Sequence, residues 1–169
     1  MHNLERTMIM SRYYLDDGVE QEFTVFISHG RSDLWRQVER YINKTVEMDT
    51  IVLKETYHGV TIIEKLEDEA ENCECAVVIM TPDDKMADGS FRSRQNVIHE
   101  IGYLQAQYGR QNVVILKEES VEWFSNNSGI EYIKFAGTSV SSTFHILNEA
   151  LTGLYDDFCE DKEEDEAEE

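Results

Sequence analysis

The sequence predicts a three-layer α/β domain built on a mainly parallel sheet, and three observations predict it. Short apolar runs alternate along the chain with stretches of helical period, the pattern left by repeated strand-to-helix crossovers. One run, AVVIMT from Ala76, is apolar throughout instead of alternating, as in a strand covered by helices on both faces. A single hydrophobic-rich region extends from about Phe23 to Leu154 of the 169 residues, enough for one domain with a real core.

Residues 1 to 22 show no sustained period and fit a loose arm, a short extra strand or part of an oligomer contact. The first strand is FTVFIS from Phe23, bounded by polar residues and rich in β-branched and aromatic types. It ends in His29, Gly30, Arg31 and Ser32, with Ser32 placed to cap a helix that begins near Asp33 and carries Leu34, Trp35, Val38, Tyr41 and Ile42. Such a Gly-containing turn can bring backbone amides near a phosphate, although the G-x-G-x-x-G dinucleotide fingerprint is missing.

The second strand is TIVLKE from Thr50. A Gly-bearing aromatic loop through Tyr57 follows, able to gate a pocket, and then Thr61 and Glu64 form the spacing of a capping box, which explains Glu64 as a cap. The third strand, AVVIMT, leads into Pro82, Asp83 and Asp84; the two aspartates suit a turn as well as they suit a ligand contact. A flexible stretch through Gly89 precedes the next helix. NVVILK from Asn112 makes the fourth strand, and a weakly patterned region leads to a fifth near Tyr132 to Phe135. The last helix is expected from about Ser142 to Phe158, with Phe144, Leu147, Leu151 and Leu154 inward. The domain is thus expected over residues 23 to 158, with 159 to 169 a disordered acidic tail.

The helix from Arg92 to Tyr108 organises the functional reading. Val97, Ile101, Leu104 and Tyr108 form its apolar stripe, while Asn96, Glu100, Tyr103 and Gln107 fall on a separate face that is expected to look into a cleft. Arg92 and Arg94 stand where a helix N-terminus already attracts anions. With right-handed crossovers, the loops after the strands gather at one carboxyl edge, where ligands bind at the topological switch point. His29 to Ser32, Thr81 to Asp84 and the start of this helix converge there. A phosphate-bearing ligand with one carboxylate aimed at its chemistry follows.

The formal net charge of −20 is partly local, since residues 156 to 169 hold ten acids and one lysine. An acidic body with an acidic tail repels nucleic-acid backbones, so no nucleic-acid partner is expected. No apolar run reaches the length of a membrane span and no signal-peptide core opens the chain, which makes the cytoplasm the expected compartment. Cys73, Cys75 and Cys159 are odd in number and lack paired metal-ligand spacing; they read as reduced thiols without catalytic duty, and no metal is expected.

Five ordered blocks then carry a resemblance: HGR after the first strand, GVTIIEK at the second helix, AVVIMTPDD, R-x-R-Q-N-V-x-x-E-I-G-Y, and YGRQNVVILK. Over residues 23 to 154 the chain resembles the TIR-like domain of bacterial predicted nucleotide-binding proteins, the effector type fused to STING-like receptors in antiphage systems. The resemblance implies a flavodoxin-like fold with strand order 2-1-3-4-5 and an NAD+ glycohydrolase whose catalytic glutamate is Glu100. NAD+ is then substrate, and no cofactor is implied. The family's Pro-Ser-Asp segment is replaced here by residues 124 to 129, FSNNSG, so ligand contacts from that loop are not carried over. Because the chain shows no sensor domain, activation is expected from homo-oligomer assembly or from a separate sensor protein.

In that reaction the pyridinium departs as a neutral amine, so the difficulty is the positive charge building on the ribose. One carboxylate, Glu100, stabilises it or traps it covalently. Asn96 and Tyr103 would orient it or the ribose hydroxyls, and Arg31, Arg92 or Arg94 would balance the pyrophosphate. Phe26 and Tyr57 are open to stacking on a base or to packing. The rivals are a noncatalytic nucleotide-binding or protein-interaction module and an enzyme that transfers deoxyribose between bases.

Overall fold

The computed structural model describes residues 12–14, 20–53, 62–123 and 131–167. Its centre is a five-stranded, wholly parallel sheet made of β1 (Thr24–His29), β2 (Asp49–Val52), β3 (Cys75–Met80), β4 (Val113–Glu118) and β5 (Ile133–Phe135). The order across the sheet is 2-1-3-4-5, the flavodoxin-like order that the motifs implied. Register places Val25 opposite Thr50 on one side and Cys75 on the other, then Ala76 opposite Val113 and Leu116 opposite Ile133.

Because alternate residues of a strand face opposite sides, the sheet divides the core in two. Val25, Ile27, Cys75, Val77, Ile79 and Leu116 pack toward α1 (Trp35–Tyr41) and α4 (Phe144–Ala167). Phe26, Ala76, Val78, Met80 and Ile115 pack toward α2 (Ile62–Ala70) and α3 (Gln95–Tyr108). Phe26 is fully enclosed there, which settles it as a packing residue. Double coverage is why β3 reads as an unbroken apolar run: all six of its residues are buried.

Several details depart from the sequence reading. Ser32 does not cap α1. The first turn is set instead by Arg36 N–H donating to the Asp33 carbonyl, the helix starts at Trp35 behind Leu34, and the Ser32 hydroxyl accepts from Leu34 N–H at 3.4 Å. After Tyr41 the helix widens into a π-helical turn, Ile42–Val46, that ends at Glu47 in the left-handed region with φ 62°. The arm contains short strands, one of the options left open for it, as an antiparallel ribbon of Arg12–Tyr14 with Glu20–Glu22, whereas a second ribbon, Asp84–Lys85 with Phe91–Arg92, occupies the stretch through Gly89 expected to be flexible. Thr61 of the expected capping box lies outside the described residues.

The largest departure is at the end. α4 continues to Ala167, through most of the segment 159 to 169 expected as a disordered tail. Composition alone argues only that this segment cannot dock, and a helix can lengthen without docking. Its packed first half, where Leu147, Leu151 and Tyr155 are buried and Tyr155 meets Phe23 at 5.5 Å between ring centroids, supplies the costly nucleus. Beyond it the Glu-rich sequence contains no Pro or Gly to stop propagation. Among the described residues no helix is long and apolar enough to cross a membrane.

Candidate functional site

Glu100 is buried at 5% exposure, although a carboxylate on a helix is ordinarily solvated. It lies under the carboxyl end of β1, where the wholly buried Ser28 hydroxyl donates to its Oε2 at 2.6 Å. This corrects the expectation of a cleft-facing stripe shared with Asn96 and Tyr103. At 3.6 residues per turn Glu100 stands about 40° from Leu104 and about 60° from Tyr103, on the margin between the two stripes. Packing of α3 on the sheet draws it to the core side, beside the buried Val97, Ile101 and Leu104.

Asn96 is exposed, and Tyr103 is half-buried and turned toward α2, where burial and the carboxylates of Glu67 and Glu71 push its phenol up. Neither residue joins Glu100; Ser28 does. The signal for Ser28 was present in the sequence as a lone hydroxyl at the end of an apolar strand.

Across the β1 end, the turn at His29 to Ser32 is stapled to the turn after β3. Asp83 accepts from the Thr81 hydroxyl at 2.9 Å and from the Arg31 backbone N–H at 3.3 Å, and the Arg31 guanidinium reaches Asp84 at 3.4 Å. A Cβ at Gly30 would lie 1.8 Å from an Asp83 carboxylate oxygen, so any larger residue there would displace that carboxylate from the turn. His29 stacks on Trp35 with centroids 4.7 Å apart, and its Nδ1 is 2.7 Å from the Gly30 carbonyl, which calls for the Nδ1–H tautomer. The aspartates thus serve as turn residues that take up the amide and guanidinium expected to meet a phosphate.

Of the other arginines, Arg92 pairs with Glu122 at 2.8 Å, and that hydrogen bond and charge raise its guanidinium pKa further. It ties the ribbon before α3 to the loop after β4. Arg94 is half-buried at the N-cap of α3. Tyr57 lies outside the described residues, as do residues 124 to 129.

On the α1 and α4 side of the same edge is a cleft of about 480 Å³, lined by Arg31, Ser32, Leu34, Thr81, Pro82, Asp83, Glu118, Gly137 and Thr138. Strand alternation puts Glu118 on this side and Ser28 with Glu100 on the other. Of the predicted residues, Arg31, Ser32 and Asp83 thus line the cleft on one face of this edge, and Glu100 lies on the other. Glu118, 6% exposed, was missed by the sequence reading. Its Oε2 accepts from Ser120 N–H at 2.8 Å and from the Ser120 hydroxyl, and its Oε1 from Gly137 N–H at 2.9 Å. Burial raises its pKa, and these hydrogen bonds outweigh it, leaving the carboxyl below its ordinary value. A larger groove of about 770 Å³ along Val113, Tyr132, Lys134 and Ile146 lies away from this edge.

Comparison with known proteins follows the same outline. A protein of Escherichia coli (strain K12) named YuaY is 38% identical over 115 residues, which are 64% of this chain and 38% of that protein. Protein tirC of Dictyostelium discoideum is 33% identical over 112 residues, 60% of this chain and 56% of that one. The chain thus spans about two fifths to just over half the length of these two relatives. Among solved structures, a diflavin flavoprotein A3 from Nostoc sp. superposes with a TM-score of 0.45 at 16% identity, covering 84% of this chain and 96% of that one. Residues 24–137 match the family described as the TIR domain of CAP12/Pycsar effector proteins, and the chain belongs to that family.

Proposed function

We propose that this TIR domain is an NAD+ glycohydrolase in which Glu100 is the catalytic carboxylate. The observation that carries the reading is the buried Glu100 held by Ser28 at the carboxyl end of β1, the edge where ligands of such sheets bind. In the reaction the bond between ribose C1′ and the pyridinium nitrogen breaks and its electron pair leaves with neutral nicotinamide. Water adds at C1′ and releases a proton, or a nucleophile within ADP-ribose closes a cyclic product. A carboxylate beside C1′ in a water-poor site offsets the growing positive charge far better than it would in water. Ser28 suits the role of partner because a hydroxyl can rotate toward a ribose oxygen without moving the backbone.

Family membership supports an effector acting in defence against phage, and depletion of NAD+ is how this chain would act. We also propose that activity depends on assembly of several copies, with any activating sensor a separate protein or a further part of a longer chain. A second reading, a noncatalytic module that binds nucleotides or protein partners, draws on the same burial: a hydrogen-bonded carboxylate between helix and sheet can serve the fold alone. The test is purified protein incubated with NAD+, dilute and concentrated, with nicotinamide release followed by chromatography. Release that rises per molecule with concentration is expected. A protein that never releases nicotinamide at any concentration would leave the module standing.

A further inference from the structure

The proposed chemistry leaves Glu118 unused, yet this carboxylate is among the best-satisfied polar groups at the edge. Its two oxygens gather donors from two separate loops, Ser120 after β4 and Gly137 after β5. Gly137 has φ 55°, and a Cβ there would meet nothing within 4 Å, so the glycine answers a backbone conformation and not a lack of space. That conformation aims the Gly137 N–H at Glu118. A bond from Ser139 N–H to the Ala136 carbonyl at 3.0 Å closes the turn, and Glu119 N–H to the Phe135 carbonyl at 2.9 Å ties its base to β4. Gly137 and Thr138 then form one wall of the 480 Å³ cleft, with Arg31 and Ser32 among the residues lining the rest. The volume lies within the roughly 300–1,000 Å³ of small-molecule sites.

We propose that Glu118 is a positioning residue: it holds the turn of Gly137 and Thr138 as the wall of a binding site for the adenosine diphosphate half of the substrate, remote from the bond that breaks. The inference rests on the NAD+ reading, which puts the scissile bond at Glu100 on one face of the edge. A dinucleotide extending from there across Gly30 and Arg31 enters this cleft. Arg31 supplies its positive charge by exchanging its long, exposed contact with Asp84 for the diphosphate, and Ser32 and Thr138 supply hydroxyls for a phosphate or ribose. Glu118 itself touches no ligand, since its oxygens are taken by the loops.

The test uses Glu118→Gln. A carboxamide turns one acceptor into a donor facing an N–H, so the turn loosens while side-chain volume is kept. Wild type and variant are compared well below both melting temperatures, by titration calorimetry with ADP-ribose and by hydrogen exchange at residues 136 to 139. Wild type is expected to bind ADP-ribose, and the variant to bind it about tenfold more weakly with faster exchange in the turn, its NAD+ KM raised by a similar factor while kcat holds within about twofold. A merely structural carboxylate would lower the melting temperature and leave the affinity of the folded protein unchanged; that result, or failure of wild type to bind ADP-ribose, overturns the proposal. Should Glu118→Gln not fold, Ser120→Ala, which removes one donor, is expected to weaken binding about threefold, and unchanged binding there counts against the proposal equally. Binding that depends on Glu118 in a protein that does not release nicotinamide would sink the glycohydrolase reading and leave the ADP-ribose site in place.

Discussion

Glu100 and Glu118 are both buried carboxylates at the carboxyl edge of one sheet, and they differ in who holds them. Besides the Ser120 hydroxyl, Glu118 is gripped by the backbone N–H groups of Ser120 and Gly137, which cannot turn away without reshaping two loops. Glu100 receives a bond from the Ser28 hydroxyl, which can reorient in place. A carboxylate held by main chain is committed to structure, whereas one held by a rotatable hydroxyl on a rigid strand can exchange that bond when a ligand arrives. The comparison accords with the bracing proposed for Glu118 and the chemistry proposed for Glu100, and it can be broken or sharpened by experiment.

The largest stability effect is expected from Glu118→Ala. Removing the acceptor breaks the charge-assisted hydrogen bonds that tie Ser120 and Gly137 together, which costs about 3 kcal/mol, or roughly 6–12 °C of melting temperature for a domain of this size. Calorimetric melting checks it, and a loss under about 1 kcal/mol would show that water replaces the carboxylate freely. Ser28→Ala should cost less, about 1–2 kcal/mol, because Glu100 loses one donor while the backbone keeps its ladder. Its NAD+ turnover should nevertheless fall about tenfold, so a rate loss without a comparable stability loss is what separates the two carboxylates.

A pH series sharpens the contrast further. The folded Glu118 carboxyl lies below its ordinary value of 4.5 through its bonds to Ser120 and Gly137. A lowered folded value means that its stabilisation is fully present above the unfolded value and fades as pH falls through the folded one. The gap in melting temperature between wild type and Glu118→Gln should therefore be constant from pH 7 to about 5 and narrow below about 4.5. A gap that stays constant down to pH 3 would contradict this. The smallest effect is expected from deleting residues 160 onward: they lie beyond the ring contacts of Tyr155 and Phe158 with Phe23, and acidic residues near a helix C-terminus oppose its dipole. The melting temperature should move by no more than about 2 °C; a loss of several degrees would mean that the helical extension packs.

Much of the fold was legible because five buried strands announce themselves as apolar runs, and the observed bounds fall within a residue or two of those runs except at the end of β2. What was not legible depended on contacts between distant residues. Glu118 reads as the polar end of a strand, because its partner Gly137 lies 19 residues further on in a turn with no pattern of its own. Glu100 was singled out in the sequence but assigned to the wrong stripe, since a residue on the margin of two faces goes wherever tertiary packing sends it. Asp83 and Asp84 illustrate the same limit: turn formers and anion mimics have the same sequence, and only the approach of Arg31 and Gly30 shows them stapling two loops.

The central claim, that Glu100 is present for chemistry, is tested most directly by NAD+ consumption in wild type and Glu100→Gln, measured from nanomolar to high micromolar protein alongside thermal melting. The amide keeps the shape and an acceptor for Ser28 but loses the charge. A rate lower by about a hundredfold at every concentration, with a melting temperature within a few degrees of wild type, is the predicted result. Equal rates would remove Glu100 from the mechanism, and a collapsed melting temperature would make it, like Glu118, a brace.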